Sequence, residues 1–301
     1  MSLDYGNGKK SRFNLFDNIN VLLVSIVLFV SVFPFYYEII YSLSDPQKAQ
    51  AGVFLLPAGL TFKVYTTVLK LGNIPSAFLI SILRTVLGTA LTVFCCSLLA
   101  YLITQEEFKL RKVVYRFLVV TMYFNAGLIP WYLLIKAIGF KNNFLLYIIP
   151  SALSVFYVIL IKTFIEQLPK ALEEYAKIDG AGFFTIFSRI IFPISKPIIA
   201  TVSVFSAVYQ WNNWFDTYLF VNNKSLFSAQ YVLYTFLRES EALAQSIRDS
   251  SRITGIGGAA TMTPMSIRMG ITIVITLPIL FIYPFMQRYF VKGITLGAVK
   301  G

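Results

Sequence analysis

Apolar residues run along this chain in long blocks, and short polar clusters separate them. The blocks fall at 19–43, 76–103, 112–137, 143–168, 197–220 and 266–291. Each is long enough, at roughly 20 residues or more, to cross about 30 Å of hydrocarbon as a helix. A backbone in lipid must satisfy its own hydrogen bonds, and the blocks lack the short alternation of barrel strands. The pattern therefore predicts an all-α polytopic membrane protein with six transmembrane helices, a single domain over 1–301. The polar clusters then read as connectors. One covers 44–75 with Pro and Gly punctuation, and "QEEFKLRK" and "GFKNN" form short links. A charged stretch follows at 169–196. The last, 221–265, holds "QYVLYTFLRESEALAQSIRDS", which suits an interfacial helix, and a flexible "TGIGGAATMTP".

Composition agrees with lipid as the solvent: 57% of residues are apolar and 13% are charged. The net charge of +12 orients the chain rather than recruiting nucleic acid. With the N-terminus inside, bases gather in the cytosolic segments, at Lys9, Lys10, Arg12, Lys109, Arg111, Lys112 and Arg116, in 169–196, and at the end of the chain. That bias is the positive-inside pattern, and it predicts both termini in the cytoplasm. The first apolar block is longer than the core of a signal peptide and lacks a small-residue cleavage site, so it is expected to stay as the first span.

The usual energy and catalytic chemistry is missing. No G-x-x-x-x-G-K-[ST] phosphate loop occurs, there is no His, and the two cysteines, Cys95 and Cys96, are neighbours in one apolar block, where they read as packing residues. A metal site and a His-based or thiol nucleophile are not expected, so no catalytic or metal-binding residue is assigned. None of the 14 acids falls at the centre of an apolar block, where a proton-driven carrier would hold one. If the chain is a transporter, its energy must come from elsewhere.

Against this background "EEYAKIDGAGFFTIFSRIIFP", residues 173–193, stands out. Pro169 suits a helix start, Glu173 and Glu174 sit near the positive end of the helix dipole, and Gly180 is able to take the positive φ that ends a helix. Phe183, Phe187 and Ile190 then mark a second amphipathic helix running to Pro193. On spacing, Glu174, Tyr175, Ala176, Gly180, Ile190, Phe192 and Pro193 resemble the "EAA" loop, E-A-A-x3-G-x9-I-x-L-P, of permease subunits in ATP-binding-cassette (ABC) importers. Tyr175 replaces the middle alanine and Phe192 the leucine. The segments "FNAGLIPWYLLIKAIGF", "QWNNWFD", "TPMSIRMGITIVITLPILFIYPFMQRYF" and "GITLGAVKG" look like the carbohydrate-uptake branch, and within it the lipo/polysaccharide-type and alginate-importer-like oligosaccharide permeases.

The resemblance implies a type I ABC importer permease fold in a bacterial plasma membrane. It implies a coupling helix at Glu173, Glu174, Tyr175, Ala176, Asp179, Gly180, Ala181 and Gly182 that a separate ATPase subunit grips. The implied partners are a second homologous permease forming a heterodimer with this chain, an ATPase dimer carrying ATP and Mg, and an extracytoplasmic solute-binding protein. No cofactor is expected on this chain. The tail Gly293–Gly301 is expected to touch the ATPases or to be a loose end.

Polar residues inside the blocks supply candidates for a solute route. Asn125 lies about 20 Å along the third block at 1.5 Å per residue, where it either lines a route or bonds a neighbouring helix. Tyr209, Trp211, Asn212, Asn213, Trp214 and Asp216 combine rings, amides and a carboxylate, the chemistry that grips the apolar faces and hydroxyls of a sugar. An aromatic belt at the membrane interface is the alternative; Trp211, roughly 21 Å along its block, lies below the outer interface, which favours the route. Arg84 has three open readings: snorkelling outward, pairing with Glu38 or Asp216, or meeting an acidic substrate. The expected function is import of an oligosaccharide or polysaccharide fragment. Import of another solute by the same machinery, a stand-alone secondary carrier and a membrane enzyme are the competing readings.

Overall fold

The computed structural model describes residues 15–70, 74–239 and 263–280. Among these residues the secondary structure is helical, with one isolated bridge between Ser44 and Leu60. The described residues fall into two compact units, the first within Met1–Thr66 and Gly257–Ile273, the second within Thr67–Ile256 and Val274–Gly301.

In the first unit, α1 (Leu15–Ser42) shows apolar side chains from Phe16 to Phe33 to the surroundings, as a helix bathed in lipid must. Its end is different. Ile40 and Tyr41 are buried with Ala49, Val53 and Met269. Asp45 then caps α2 (Pro46–Ala49), its side chain accepting from the Gln47 and Lys48 amides, with Pro46 at the first helical turn where no N–H is missed. The hydroxyl of Ser44 joins the two sides of the loop, donating to Ile40 O at 2.7 Å and accepting from Ala58 N at 3.0 Å. A short α3 (Lys63–Lys70) follows.

The second unit is built on α4 (Ile74–Thr104). After it come α5 (Arg111–Tyr123), α6 (Leu128–Ala137), α7 (Val155–Ile165) and α8 (Ala171–Ile178). Then follow α9 (Phe183–Ile194), α10 (Lys196–Asn212), α11 (Phe215–Phe220) and α12 (229–239), while α13 (Pro264–Leu280) belongs to the first unit as far as Ile273 and to the second from Val274. α4 packs along α10 and α7, and the core between them contains Val93, Cys96, Ala100, Tyr101, Val158, Ile161, Phe187 and Val202. Cys96 is a packing residue, as its setting suggested, with its sulfur accepting from Ser154 N at 3.4 Å.

The expected spans are not all single rods. α1 and α4 include stretches long and apolar enough to cross a membrane unbroken. The third block, 112–137, breaks between α5 and α6, where Phe124 is extended and Gly127 takes φ 85°. The fourth, 143–168, opens with a 3-10 turn at Phe144–Tyr147 and becomes α-helix only at Val155. The fifth, 197–220, stops at Asn212 and restarts at Phe215. Each break falls inside an apolar block of spanning length, so apolar length alone does not reveal them. The last block, 266–291, is described as far as Leu280, and the tail Gly293–Gly301 lies outside the described residues.

Candidate functional site

Two places bring together polar side chains that a membrane helix would otherwise avoid. The first lies where α10 ends. Asn213 leaves the helix with extended backbone, and its Oδ1 accepts from Phe215 N at 3.1 Å and Asp216 N at 3.3 Å, so its side chain starts α11. The turn opens a cavity of about 560 Å³ lined by Trp131, Val208, Tyr209, Asn212, Asn213, Trp214, Phe215 and Asp216. That volume is within the common range for small-molecule sites, roughly 300–1,000 Å³.

Arg84 supports the cavity from behind and is 0% exposed. Its Nη2 donates to Asp216 Oδ2 at 3.3 Å, its Nη1 to Asn213 O at 2.7 Å, and its Nε and Nη2 to Gln210 Oε1 at 3.3 and 3.2 Å. The Tyr147 ring lies 4.4 Å from the guanidinium carbon. Of the three readings open for Arg84, the structure selects the pair with Asp216. A buried charge persists only when paired and hydrogen-bonded, and this one is. Asn213 Nδ2 adds a bond to the same Asp216 oxygen at 2.8 Å. Gln210 extends the network by donating to Ser151 Oγ at 2.6 Å.

Five of the seven pathway candidates thus line one cavity: Tyr209, Asn212, Asn213, Trp214 and Asp216. Trp214 is stacked on Tyr234 with centroids 4.0 Å apart. The other two candidates are elsewhere. Trp211 is only 6% exposed; its indole donates to Ile275 O at 3.2 Å and its ring packs edge-on against Phe78. It lies about 100° around α10 from Asn212 and faces Phe78 and Ile275 instead. Asn125 Oδ1 accepts from Gly127 N at 2.9 Å, which stabilises the break between α5 and α6. Trp131 escaped selection among the candidates. Its only sequence signal was the "GLIPW" stretch, far along the chain from the residues it joins.

The second place is α8 with the turn after it. Gly180 takes φ 79°, the conformation expected of it. Ala181 N closes the turn on Ala176 O at 2.9 Å, while Ala176 is buried and Ala181 packs on the same core. Glu174, Tyr175, Asp179, Gly180 and Gly182 are exposed, as are Ile178 at 80% and Phe184 at 59%. Glu173 points the other way. Its carboxylate accepts from Gln105 Nε2 at 2.9 Å and from Tyr101 OH at 3.5 Å, so it ties α8 to the end of α4 instead of joining the exposed face. Lys170 and Lys177 add pairs with Glu106 at 2.9 Å and Glu107 at 2.7 Å. The hydrogen bond from Lys170 holds the Glu106 carboxyl below its usual range, and the same bond raises Lys170. Ile178, the most exposed of these apolar side chains, was not singled out from sequence, since an isoleucine amid apolar neighbours carries no signal of direction.

α9 links the two places. Residues Phe187–Ile191 form a π-helical stretch within it, and α9 meets α10 at 82°. Wide turns of this kind introduce a local bulge and are frequent near functional sites.

No family model matches the chain. It is 35% identical over 297 residues to Protein LplC of Bacillus subtilis (strain 168), covering 98% of this chain and 97% of that protein. It is 32% identical over 288 residues to the polygalacturonan/rhamnogalacturonan transport system permease protein YtcP of the same organism, covering 95% and 99%. The fold matches, with a TM-score of 0.83 and 24% identity, a solved chain from a bacterial ABC transporter involved in the import of the acidic polysaccharide alginate, covering 95% of this chain and 100% of that one.

Proposed function

Because the chain belongs to the permease subunits of ABC sugar importers, an all-α membrane protein family, we propose that it forms part of the route for an oligosaccharide or polysaccharide fragment. The observation that carries the reading is the cavity at the end of α10, which sets Trp131, Tyr209 and Trp214 beside the amides of Asn212 and Asn213 and the carboxylate of Asp216. Rings stack on the apolar faces of a pyranose while amides and carboxylate bond its hydroxyls. The relative named for polygalacturonan and rhamnogalacturonan transport supports a sugar of several residues.

In this reading the chain works in a bacterial plasma membrane with both termini in the cytoplasm. It pairs with a second, homologous permease and receives its cargo from an extracytoplasmic solute-binding protein. The loop 169–196 is cytosolic, and its exposed face of Glu174, Tyr175, Ile178, Asp179 and Gly180 docks on a separate ATPase dimer that holds ATP and Mg. Ala176, Ala181 and Glu173 hold that face in position, and Gly182 starts the helix that leads back to the membrane. ATP hydrolysis in the partner moves α8, and rigid-body rocking then exposes the cavity to one side of the membrane and next to the other.

The test is uptake and ATP hydrolysis by the assembled importer in proteoliposomes. Glu174→Lys reverses a charge on the exposed face. Gly180→Val forces a β-branched side chain into a positive φ at a cost on the order of 1–3 kcal/mol. Both variants are expected to insert and to lose the coupling of hydrolysis to uptake. Wild-type uptake with wild-type stimulation of hydrolysis in both would reduce the loop to a connector and sink the reading.

A further inference from the structure

The cavity has a charge of its own. Of the residues that line it, one is ionisable near neutral pH, and it is an acid, Asp216. Among the described residues, no lysine or arginine lines it. The nearest structural cation, Arg84, is committed elsewhere: its side chain is 1% exposed against 25% for Asp216. Four hydrogen bonds and a ring face surround it. A carboxylate entering the cavity would therefore meet the exposed member of the ion pair, the acid, before the buried base. To reach the guanidinium it would have to displace Asp216 and break the cluster that starts α11. For a hydroxyl the arrangement is favourable. Arg84 and Asn213 both donate to Oδ2, which leaves Oδ1 for a donor, and the exposed Asn212 side chain lies beside it.

The geometry points to a cavity that accepts uncharged sugars and disfavours uronates, with Asp216 as the specificity-determining residue. This rests on the reading of the cavity as part of the sugar route. A uronate carboxylate roughly 6 Å from Asp216 stands roughly 9–10 Å from the Arg84 guanidinium behind it, so at an effective dielectric of about 40 the repulsion from the acid exceeds the attraction to the base by about 0.5 kcal/mol, about twofold in affinity. That opposition is absent for a neutral sugar of the same size.

The test uses the full-length chain in lipid nanodiscs with its partner permease and ATPase subunits, and without a solute-binding protein, which has a selectivity of its own. Trp131 and Trp214 report occupancy by fluorescence quenching. The probes are two neutral trisaccharides, galactotriose and raffinose, against trigalacturonate. At about 20 mM salt, where surface charge is weakly screened, the neutral probes are expected to half-saturate at concentrations roughly twofold lower than trigalacturonate. Asp216→Asn leaves the Arg84 charge unopposed and should close that gap or reverse it, and Asn212→Lys, a change on an exposed side chain away from Arg84, should reverse it. The second variant keeps the question open to test if Asp216→Asn fails to fold. Trigalacturonate binding as tightly as the neutral probes in the wild type, or a gap that neither variant moves, overturns the inference and leaves the sugar route standing. If none of the three sugars quenches, the sugar route itself fails and the inference falls with it.

Discussion

Replacing Gly88 by alanine sets packing against helix propensity, because the two have opposite signs there. Gly88 lies within α4, where alanine is favoured over glycine by about 1 kcal/mol. A Cβ at this position would sit 2.4 Å from Gln210 Nε2 and 2.8 Å from Gln210 Cδ, far inside van der Waals contact. A free side chain would swing away at little cost. Gln210 is not free: it is 0% exposed, donates to Ser151 Oγ at 2.6 Å and accepts two bonds from Arg84. Displacing it gives up one neutral bond, about 1 kcal/mol, and at least one bond to a buried guanidinium, about 1.5–3 kcal/mol. Net of the propensity gain, Gly88→Ala should lose on the order of 2 kcal/mol. Unfolding of the purified protein in detergent, followed by intrinsic fluorescence, measures this. Gln210→Ala removes the obstruction, so the double variant should lose less than the sum of the two single losses, by about 1 kcal/mol or more. A Gly88→Ala protein as stable as the wild type, or more so, would refute the packing of Gln210 against α4 and with it the support described for Arg84.

Asn212→Ala is expected to lower sugar-stimulated transport about tenfold, the scale of one lost hydrogen bond, with the melting temperature unchanged, because its side chain is exposed. Asp216→Ala should instead reduce the yield of folded protein, since it leaves Arg84 buried without its counter-ion; normal folding with normal uptake in proteoliposomes would contradict both roles. Glu173→Ala cuts the tie between α8 and the end of α4 and should lower the ratio of sugar moved to ATP hydrolysed about tenfold, while ATPase binding persists; an unchanged ratio would leave Glu173 without a positioning role. The Glu106–Lys170 pair is exposed, so Glu106→Gln should melt close to the wild type at pH 7. With Glu106 lowered and Lys170 raised, whatever the pair contributes is present at neutral pH. It is lost in acid as Glu106 protonates and in alkali as Lys170 deprotonates. Melts between pH 6 and 8 should therefore show no difference in slope between variant and wild type.

Long unbroken helices were legible from apolar length, and so was the turn at Gly180, because a glycine after an amphipathic run has one common use. The cluster from Tyr209 to Asp216 was legible as chemistry, since amides and a carboxylate rarely occur in an apolar block without purpose. What escaped was direction. Trp211 and Asn212 are neighbours in sequence, yet one faces Ile275 and the other the cavity, and only the packing of α10 on α4 decides which. Glu173 and Glu174 divide in the same manner. The breaks at Gly127 and Asn213 escaped because they are stabilised by single side chains, Asn125 Oδ1 and Asn213 Oδ1, whose polarity read as solute chemistry and not as a turn. Asp216 was among the partners open to Arg84, but it lies 132 positions away, and spacing over that distance cannot rank it above the other readings.

One helix touches both places where polar chemistry gathers. Near one end of α4, Arg84 holds Asn213 and Asp216 at the cavity. At the other, Tyr101 and the following Gln105 hold Glu173 of α8, about 30 Å away along the helix axis at 1.5 Å per residue. A second connection runs through the chain itself, from α8 across the Gly180 turn into α9, over the 82° bend and along α10 to the same cavity. α8 and the cavity are thus joined twice, once by side chains on a straight rod and once by continuous backbone containing a π-helical stretch. The two connections differ mechanically. The rod resists changes in the distance between its ends, whereas the bent connection contains a turn and a bulge able to change angle. A push on α8 would then appear at the cavity as rotation of α10 against α4, and the bonds of Arg84 and Gln210, which cross that interface, are the ones such a rotation must strain first.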